Sequence, residues 1–315
     1  MSNPNNRHRA VVAALVISSC LWGTAFLFAK LALAELSVSQ VVLYRFGLAS
    51  LVLLPVAWLR RAWPRPRDLP LFFLTGFLTV PVTFLLQFSG LALTSVASAS
   101  LIIGTLSPLL ALAAAGLYRE RLGPRGWGAV GVSTAGVAMI VGTTGSDRNW
   151  LGDGLVFLSI VVAVVWILLS KRLIERYSAL TATAYILAFG ALAMLPISLV
   201  WDGPPPLLSL PLGILGSVLA LGLVCTVVTF MLWNWALERF PASRAGVFIN
   251  IEPVVGTFLG VTLLRESLGP GAVLGGALIL AAAWVVSQPE EPVTETHPDP
   301  PGPAATFCDL DRSEA

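Results

Sequence analysis

The chain has few charged residues. They make up 11% of its 315 residues, whereas hydrophobic types make up 56%. Soluble domains average about 25% charged and about 45–50% apolar residues. Because so few charges cannot cover the surface of a soluble protein, the composition indicates a membrane protein whose apolar side chains contact lipid. The net charge is only +2, so the electrostatic field of the whole molecule says little about partners. No nucleic-acid partner is expected.

The residues needed for several kinds of chemistry are also missing. The two histidines, His8 and His297, lie in the tails, and the three cysteines show neither metal-ligand spacing nor a disulfide framework. No G-x-x-x-x-G-K-[ST] phosphate loop occurs. We therefore expect no metal, no cofactor and no enzymatic activity, and ATP is an energy source only if another subunit supplies it.

Long apolar stretches dominate the rest of the sequence. A helix needs about 20 apolar residues to cross about 30 Å of hydrocarbon. A membrane β-barrel would instead alternate apolar and polar residues in segments of about ten, and runs such as 155–169 do not alternate. The stretches that qualify as helical spans are 11–29, 38–59, 69–88, 94–117, 125–143, 151–170, 179–200, 210–235, 244–264 and 268–287.

The basic residues predict an orientation. With the N-terminus inside, 15 of the 19 Lys and Arg residues fall on the cytoplasmic side, 3 fall outside and Arg45 lies within a span. An excess of Lys and Arg marks the cytoplasmic side, so we expect a multi-pass protein of the cytoplasmic (inner) membrane with both termini inside. The alternative is a cleaved leader, because residues 17–20 resemble a lipoprotein cleavage box. Cleavage would leave nine spans and reverse the fit of every later loop.

The sequence contains an internal repeat. Each half has five predicted spans, an odd number, so the second half crosses the membrane in the opposite sense. Such halves are related by a pseudo-two-fold axis in the membrane plane, with a site between them that opens to one side at a time. A duplicated structural bundle without transport is the alternative. The matched positions include Lys30 with Lys171, Tyr44 with Tyr185, Phe84 with Phe230, and Arg119-Glu120 with Arg265-Glu266.

These patterns predict an all-α integral membrane protein with ten transmembrane helices arranged as two inverted five-helix repeats. The C-terminal segment is rich in Pro, Asp, Glu and Thr, a composition that does not bury enough apolar area to fold. The predicted parts are a cytoplasmic N-terminal tail (1–10), the first repeat (11–143), an external linker (144–150), the second repeat (151–287) and a disordered cytoplasmic tail (288–315).

An ordered set of short motifs accompanies the repeat, namely residues 22–26 with Lys30, Arg45-Phe46, Pro108 before Glu120, and Glu252-Pro253 before Glu266. Through this set the chain resembles the EamA family of the drug/metabolite transporter superfamily over about residues 11–287. The resemblance implies ten helices in two repeats, cytoplasmic termini, and uptake or efflux of metabolites or drugs. One position departs from it, because Ala163 stands where the sixth span would repeat Trp22, and Trp166 follows three residues later.

Two charged residues stand out within predicted spans, where a charge costs about 2.5–3.5 kcal/mol or more. Arg45 is a candidate for binding an anionic group of a substrate; the alternatives are a snorkelling side chain or a structural partner of a carboxylate. An apolar environment disfavours the charged form of a carboxyl group, so Glu252 is a candidate for proton coupling. Its alternatives are a hydrogen bond to backbone groups freed by Pro253, or a pair with Arg45.

Uncharged residues complete the candidate substrate site. Polar side chains inside a span are expensive against lipid, so they are expected to face protein or a cavity. Aromatic residues are candidates for a pocket wall, or else belong to the core or the membrane interfaces. Glu120 and Glu266 are interpreted as structural residues at helix ends. The substrate candidates are Trp22, Phe26, Tyr44, Arg45, Gln87, Trp166, Asn234 and Asn250.

The sequence therefore predicts a secondary transporter that moves a small metabolite or drug-like solute, such as an amino acid, across the cytoplasmic membrane by alternating access. Proton coupling is left open, as are the solute, the direction of transport and the coupling ion. An integral-membrane sensor or enzyme and a passive channel are the alternatives. The expected partners are the substrate and the lipid bilayer, and the glycine motifs 256–260 and 271–275 leave a homodimer open.

Overall fold

A computed structural model describes residues 4–93, 102–118, 123–142, 150–204, 206, 210–264 and 270–287. These residues form helices and no strand. The elements are α1 (Pro4–Ala32), α2 (Val38–Leu59), α3 (Leu69–Phe77), π1 (Leu78–Phe84), α4 (Leu85–Leu93), α5 (Leu106–Tyr118), α6 (Pro124–Gly142), α7 (Trp150–Ile174), α8 (Ala179–Asp202), α9 (Leu212–Leu219), π2 (Ala220–Val228), α10 (Thr229–Leu237), α11 (Ala242–Ile249), α12 (Ile251–Leu264) and α13 (Pro270–Ser287).

Six of these helical segments are long and apolar enough to cross a membrane. Their outward-facing residues remain apolar, since Val200 is 81% and Leu212 is 86% exposed, and lipid accommodates such side chains without cost. The chain is therefore a multi-pass membrane protein. The six segments are Arg7–Ala32, Val38–Leu59, Pro66–Leu93, Trp150–Ile174, Ala179–Asp202 and Leu212–Leu237.

The all-α prediction is confirmed over the described residues. The other four predicted spans also contain helices, in α5, α6, the pair α11 and α12, and α13. The count of ten spans and their inverted arrangement stay predictions. The glutamates at the predicted helix ends, Glu120 and Glu266, lie outside the described residues, and so does the tail 288–315.

Two π-helical segments occupy the middle of long helices. In π1 the Thr83 hydroxyl donates to the Leu78 carbonyl at 2.8 Å, and in π2 the Thr226 hydroxyl donates to the Leu221 carbonyl at 2.7 Å. Both bonds reach back five residues, as the wider π-helical turn requires. Pro81 lies inside π1, whereas π2 contains no proline. π-Helical turns inside α-helices are frequent at functional sites. Residues that contact π1 and π2 are therefore candidates for a functional site.

The ninth predicted span is interrupted at Asn250. Helix α11 ends there, with the Asn250 N–H donating to the Val247 carbonyl at 3.3 Å, and α12 begins at Ile251. Pro253 consequently lies in the first turn of α12, where a proline removes no helical hydrogen bond. Glu252 lies in the same turn. The prolines of α2 and α8, Pro55 and Pro196, instead lie within continuous helices.

The two halves of the chain pack extensively on each other. Helix α6 lies along α13, α2 lies along α8, α4 packs on α7, and α1 packs on both α10 and α12. Small residues permit the closest approaches, since a Cβ at Gly136 would lie 2.6 Å from the Gly275 carbonyl oxygen. The second glycine motif therefore contributes to packing within the chain, as small-residue motifs do between membrane helices.

Candidate solute-binding cavity

A cavity of about 630 Å³, including its mouth, lies between helices from both halves. Its lining is mostly aromatic and aliphatic, with a few polar groups. The lining residues are Trp22, Ala25, Phe26, Arg45, Thr83, Phe84, Gln87, Phe88, Ile103, Leu106, Ile160, Ala163, Trp166, Ile167, Phe230, Ile249 and Glu252.

The W-G-T-A-F motif of α1 contributes one wall. Trp22, Ala25 and Phe26 line the cavity, because positions i, i+3 and i+4 share one face of a helix. Gly23 faces α12 instead, where an added Cβ would lie 2.7 Å from the Val255 Cβ and 2.8 Å from the Glu252 carbonyl oxygen. The Thr24 hydroxyl lies 3.4 Å from the Cys225 sulfur in π2. The motif therefore lines the cavity with one face and contacts α12 and π2 with its other residues.

Arg45 lies in the wall formed by α2 and is only 2% exposed. Its Nε donates to the Thr226 hydroxyl at 2.8 Å, and its Nη2 donates to the Cys225 carbonyl at 3.2 Å. The guanidinium carbon lies 4.7 Å from the centre of the Phe84 ring. A buried charge needs such hydrogen bonds to offset the loss of water. Within the described part of the chain, Nη1 has no hydrogen-bond partner.

Glu252 lines the same cavity from the first turn of α12 and is 9% exposed. Among the described residues, its carboxyl group has no hydrogen bond and no ion pair within 4 Å. Arg45 interacts with it electrostatically over a longer distance. Among the described residues, the cavity lining therefore contains one basic and one acidic side chain, contributed by opposite halves of the sequence.

Aromatic rings form much of the remaining wall. The Phe230 ring meets the Trp22 ring edge-on, with centroids 5.6 Å apart, and stacks on the Trp166 ring at 5.9 Å. The Phe46 and Phe84 rings pack at 4.8 Å next to Arg45. Trp166 also carries a buried indole N–H without a hydrogen-bond partner among the described residues. The cavity is thus amphipathic, with charged groups set between aromatic surfaces.

The structure brings five of the eight predicted substrate-binding residues to the cavity, namely Trp22, Phe26, Arg45, Gln87 and Trp166. The other three are buried away from its lining. The Asn234 amide donates to the Thr183 hydroxyl at 2.7 Å, and the Asn250 amide donates to the Ser133 hydroxyl at 2.8 Å. Tyr44 is buried, and its hydroxyl has no partner in the described chain. Asn234 and Asn250 thus bond one helix to another, and none of the three residues lines the cavity.

Other lining residues did not stand out in the sequence. Aliphatic positions such as Ile160 and Ile167 cannot be recognised as lining residues in a chain composed largely of aliphatic residues. Phe84 and Phe230 could have been recognised, because they are matched positions of the repeat, and both line the cavity. Thr226 carried no signal, because its importance arises from a contact with Arg45. Among the described residues, no group of three or more His, Cys, Asp or Glu side chains is placed to hold a metal.

The fold and cavity define a class of protein, multi-pass helical membrane proteins with a cavity between two related halves. Residues 9–142 and residues 150–288 each match the EamA-like transporter family. The chain belongs to that family and contains its domain twice. The resemblance seen in the sequence is thereby confirmed.

Several proteins resemble the chain over nearly their whole length. An uncharacterized transporter of Archaeoglobus fulgidus is 30% identical over 88% of this chain and 97% of its own. A probable terminal-alkyne amino-acid exporter of Streptantibioticus cattleyicolor is 27% identical, with coverages of 88% and 93%. A biotin transporter of Salmonella typhimurium is 27% identical, with coverages of 87% and 92%. One crystal structure shares the fold at a TM-score of 0.75 and 20% identity, over 88% of this chain and 96% of that one.

Proposed function

We propose that this chain is a secondary transporter that carries a small amphipathic solute, such as an amino acid or a similar carboxylate, across the cytoplasmic membrane. The observation that supports this most directly is the cavity with Arg45 and Glu252 in its lining. Burying two charged side chains in an otherwise apolar wall is costly, and a solute that contacts them offsets this cost. A purely structural bundle gains nothing from such a cavity.

Alternating access is the proposed mechanism. The two halves carry the same domain, and the cavity is lined by helices of both. If the halves cross the membrane in opposite senses, exchanging their conformations closes the cavity to one side and opens it to the other. The packing is consistent with this arrangement, because α4 contacts α7 in the same way that the matched helix α10 contacts α1. Both termini then lie in the cytoplasm.

The solute class follows from the groups in the wall. An arginine guanidinium binds a carboxylate through paired N–H groups, and the aromatic rings provide apolar contacts. Two relatives have names that refer to such solutes, an amino acid in one case and biotin in the other, and both compounds carry a carboxylate beside an apolar part. Glu252 is proposed as the proton-coupling residue, since it has no fixed partner among the described residues.

Flux measurements test the transport proposal. The purified protein is reconstituted in proteoliposomes, and uptake of labelled L-phenylalanine, L-leucine and biotin is measured with and without an imposed pH gradient. We expect saturable flux of at least one compound and an increase when the gradient is imposed. Flux that does not saturate, together with ion conductance in planar bilayers, would identify a channel instead.

Substitution of Glu252 tests the coupling role separately. We expect Glu252→Gln to abolish the response to the pH gradient while exchange of labelled for unlabelled solute continues, because the glutamine cannot release a proton. The matched control is Glu238→Gln, since Glu238 pairs with its neighbour Arg239 at 2.6 Å and does not line the cavity. Gradient-driven flux that survives in the Glu252→Gln variant would exclude the proton role.

The inverted arrangement has its own test. In a variant with the native cysteines replaced by serine, Arg119→Cys and Arg265→Cys are introduced singly, at matched positions of the two repeats. A membrane-impermeant maleimide should label the second from outside intact cells and the first only after lysis. Labelling of both residues from the same side would refute opposite orientation of the halves.

A further inference from the structure

Arg45 connects the two π-helical segments of the protein. Its guanidinium packs on the ring of Phe84, the last residue of π1, and donates hydrogen bonds to Cys225 and Thr226 of π2. The two π segments belong to matched spans of the two halves. The single arginine in the cavity lining is therefore held in place by the irregular turns of both halves, and not by an acidic partner.

The hydrogen bonds of Arg45 use one particular edge of the guanidinium. A guanidinium has five N–H donors in a planar fork. Nε and one N–H of Nη2 form the side edge, and this edge is occupied by the adjacent residues Thr226 and Cys225. The end edge, formed by Nη1 and the second N–H of Nη2, has no hydrogen-bond partner among the described residues. Two parallel N–H groups of this kind match the two oxygens of a carboxylate.

The orientation of Thr226 is itself fixed. Its hydroxyl hydrogen is donated to the Leu221 carbonyl at 2.7 Å, five residues earlier in π2, so the oxygen is left as an acceptor for the Nε of Arg45. Thr226 is fully buried, which excludes water as a substitute acceptor. The π-helical geometry thus determines where the threonine oxygen lies, and the threonine oxygen determines the plane of the guanidinium.

We propose that Thr226 is a positioning residue, which holds the side edge of Arg45 so that its end edge is presented to a carboxylate in the cavity. The inference rests on the proposed transport of carboxylate solutes and assigns the solute's anionic group to one edge of one side chain. Without the hydroxyl, Nε loses its partner, and only the longer bond from Nη2 to the Cys225 carbonyl remains to fix the side edge. Because hydrogen bonds to charged groups contribute strongly, the apparent affinity for a carboxylate solute should fall roughly ten-fold.

The chain offers a matched control for this test. Thr229 follows π2, is fully buried and donates to the Val224 carbonyl at 3.0 Å, again five residues back, but makes no bond to Arg45. Uptake of L-phenylalanine and biotin is compared with uptake of their amides, which lack a carboxylate. Thr226→Val should raise the KM of the carboxylates roughly ten-fold with little change in maximal rate or in the KM of the amides. Thr226→Ser should restore the wild-type KM, and Thr229→Val should retain it.

A spectroscopic measurement separates the positioning role from transport. In protein labelled with ¹⁵N-arginine, the Nε–H signal of Arg45 is identified by its loss in Arg45→Lys. Its hydrogen should exchange slowly in the wild type, in Thr229→Val and in Thr226→Ser, and faster in Thr226→Val. Equal exchange in Thr226→Val and the wild type, or an unchanged carboxylate KM, would overturn the inference. If no probe is transported by the wild type, the transport proposal fails, and the role of the carboxylate edge fails with it, while the exchange data still decide whether Thr226 holds Arg45.

Discussion

Gly23 provides a direct test of how the cavity is assembled. It lies in α1 between two residues of the cavity lining, Trp22 and Ala25, and packs against the start of α12, which carries Glu252. The perturbation is the smallest available, Gly23→Ala, which adds one methyl group. Its effect is transmitted to the site because the backbone of Glu252 itself is among the nearest atoms.

The magnitude follows from the geometry. An added Cβ would lie 2.7 Å from the Val255 Cβ and 2.8 Å from the Glu252 carbonyl oxygen, whereas ordinary contacts between carbon atoms are about 3.5–4.0 Å. Helices α1 and α12 must therefore separate by roughly 1 Å. Overpacking of this kind costs about 1–3 kcal/mol. The gain in helix propensity from glycine to alanine, about 0.5–1 kcal/mol, partly offsets the cost.

A second glycine isolates the packing contribution. Gly47 lies inside helix α2, and a Cβ there would have no atom within 4 Å. Because both alanine variants gain helix propensity, their difference in unfolding free energy should be about 1–3 kcal/mol, with Gly23→Ala the less stable. The measurement is SDS-induced unfolding in micelles, followed by circular dichroism. If Gly23→Ala proves as stable as Gly47→Ala, the close packing of α1 on α12 is refuted.

Two further predictions concern the cavity and the helices around it. The Asn250 amide donates to the Ser133 hydroxyl at 2.8 Å. A double-mutant cycle of Asn250→Ala and Ser133→Ala, measured by SDS unfolding, should therefore give a coupling energy of about 0.5–1.5 kcal/mol. Additive effects of the two substitutions would show that the bond contributes nothing to stability. Ala163→Trp places a large ring in the cavity at the position matched to Trp22, so it should raise the KM for L-phenylalanine more than for L-alanine in liposome uptake. An equal change for both solutes would contradict a role of Ala163 in the size of the cavity.

The sequence was informative about which residues deserve attention, but not about which way they face. Arg45 and Tyr44 both stood out as candidates within the same span. Successive residues on a helix point in directions about 100° apart, so a site that uses one cannot be expected to use the other. Arg45 lines the cavity and Tyr44 does not. That choice depends on how α2 rotates against α8 and π2, which is decided by packing between distant parts of the chain.

Polar residues within spans show the same limit. The cost of burying an amide predicts that Asn234 and Asn250 face protein or a cavity, and both are buried. Their amide N–H groups donate to Thr183 and Ser133 on other helices, so a neighbouring helix takes the place of a solute for these donors, while both amide oxygens lack a partner among the described residues. The π-helical segments were indicated even less by the sequence. π2 contains no proline, and a π turn differs from an α-helical turn by only one extra residue. The anchoring of Arg45 by Thr226 was therefore beyond the reach of the sequence.

The repeat explains why the cavity contains one charge of each sign. At the position matched to Arg45 the second half has Ile186, and at the positions matched to Glu252-Pro253 the first half has Leu106-Ser107. Two identical halves would bury two arginines and two glutamates around one small cavity, with like charges repelling each other. With a single pair, each charge in one half is matched in the sequence by an uncharged residue in the other half. Neither half alone contains both charged groups, so a solute that contacts both must lie in the cavity between α2 of the first half, which carries Arg45, and α12 of the second half, which carries Glu252.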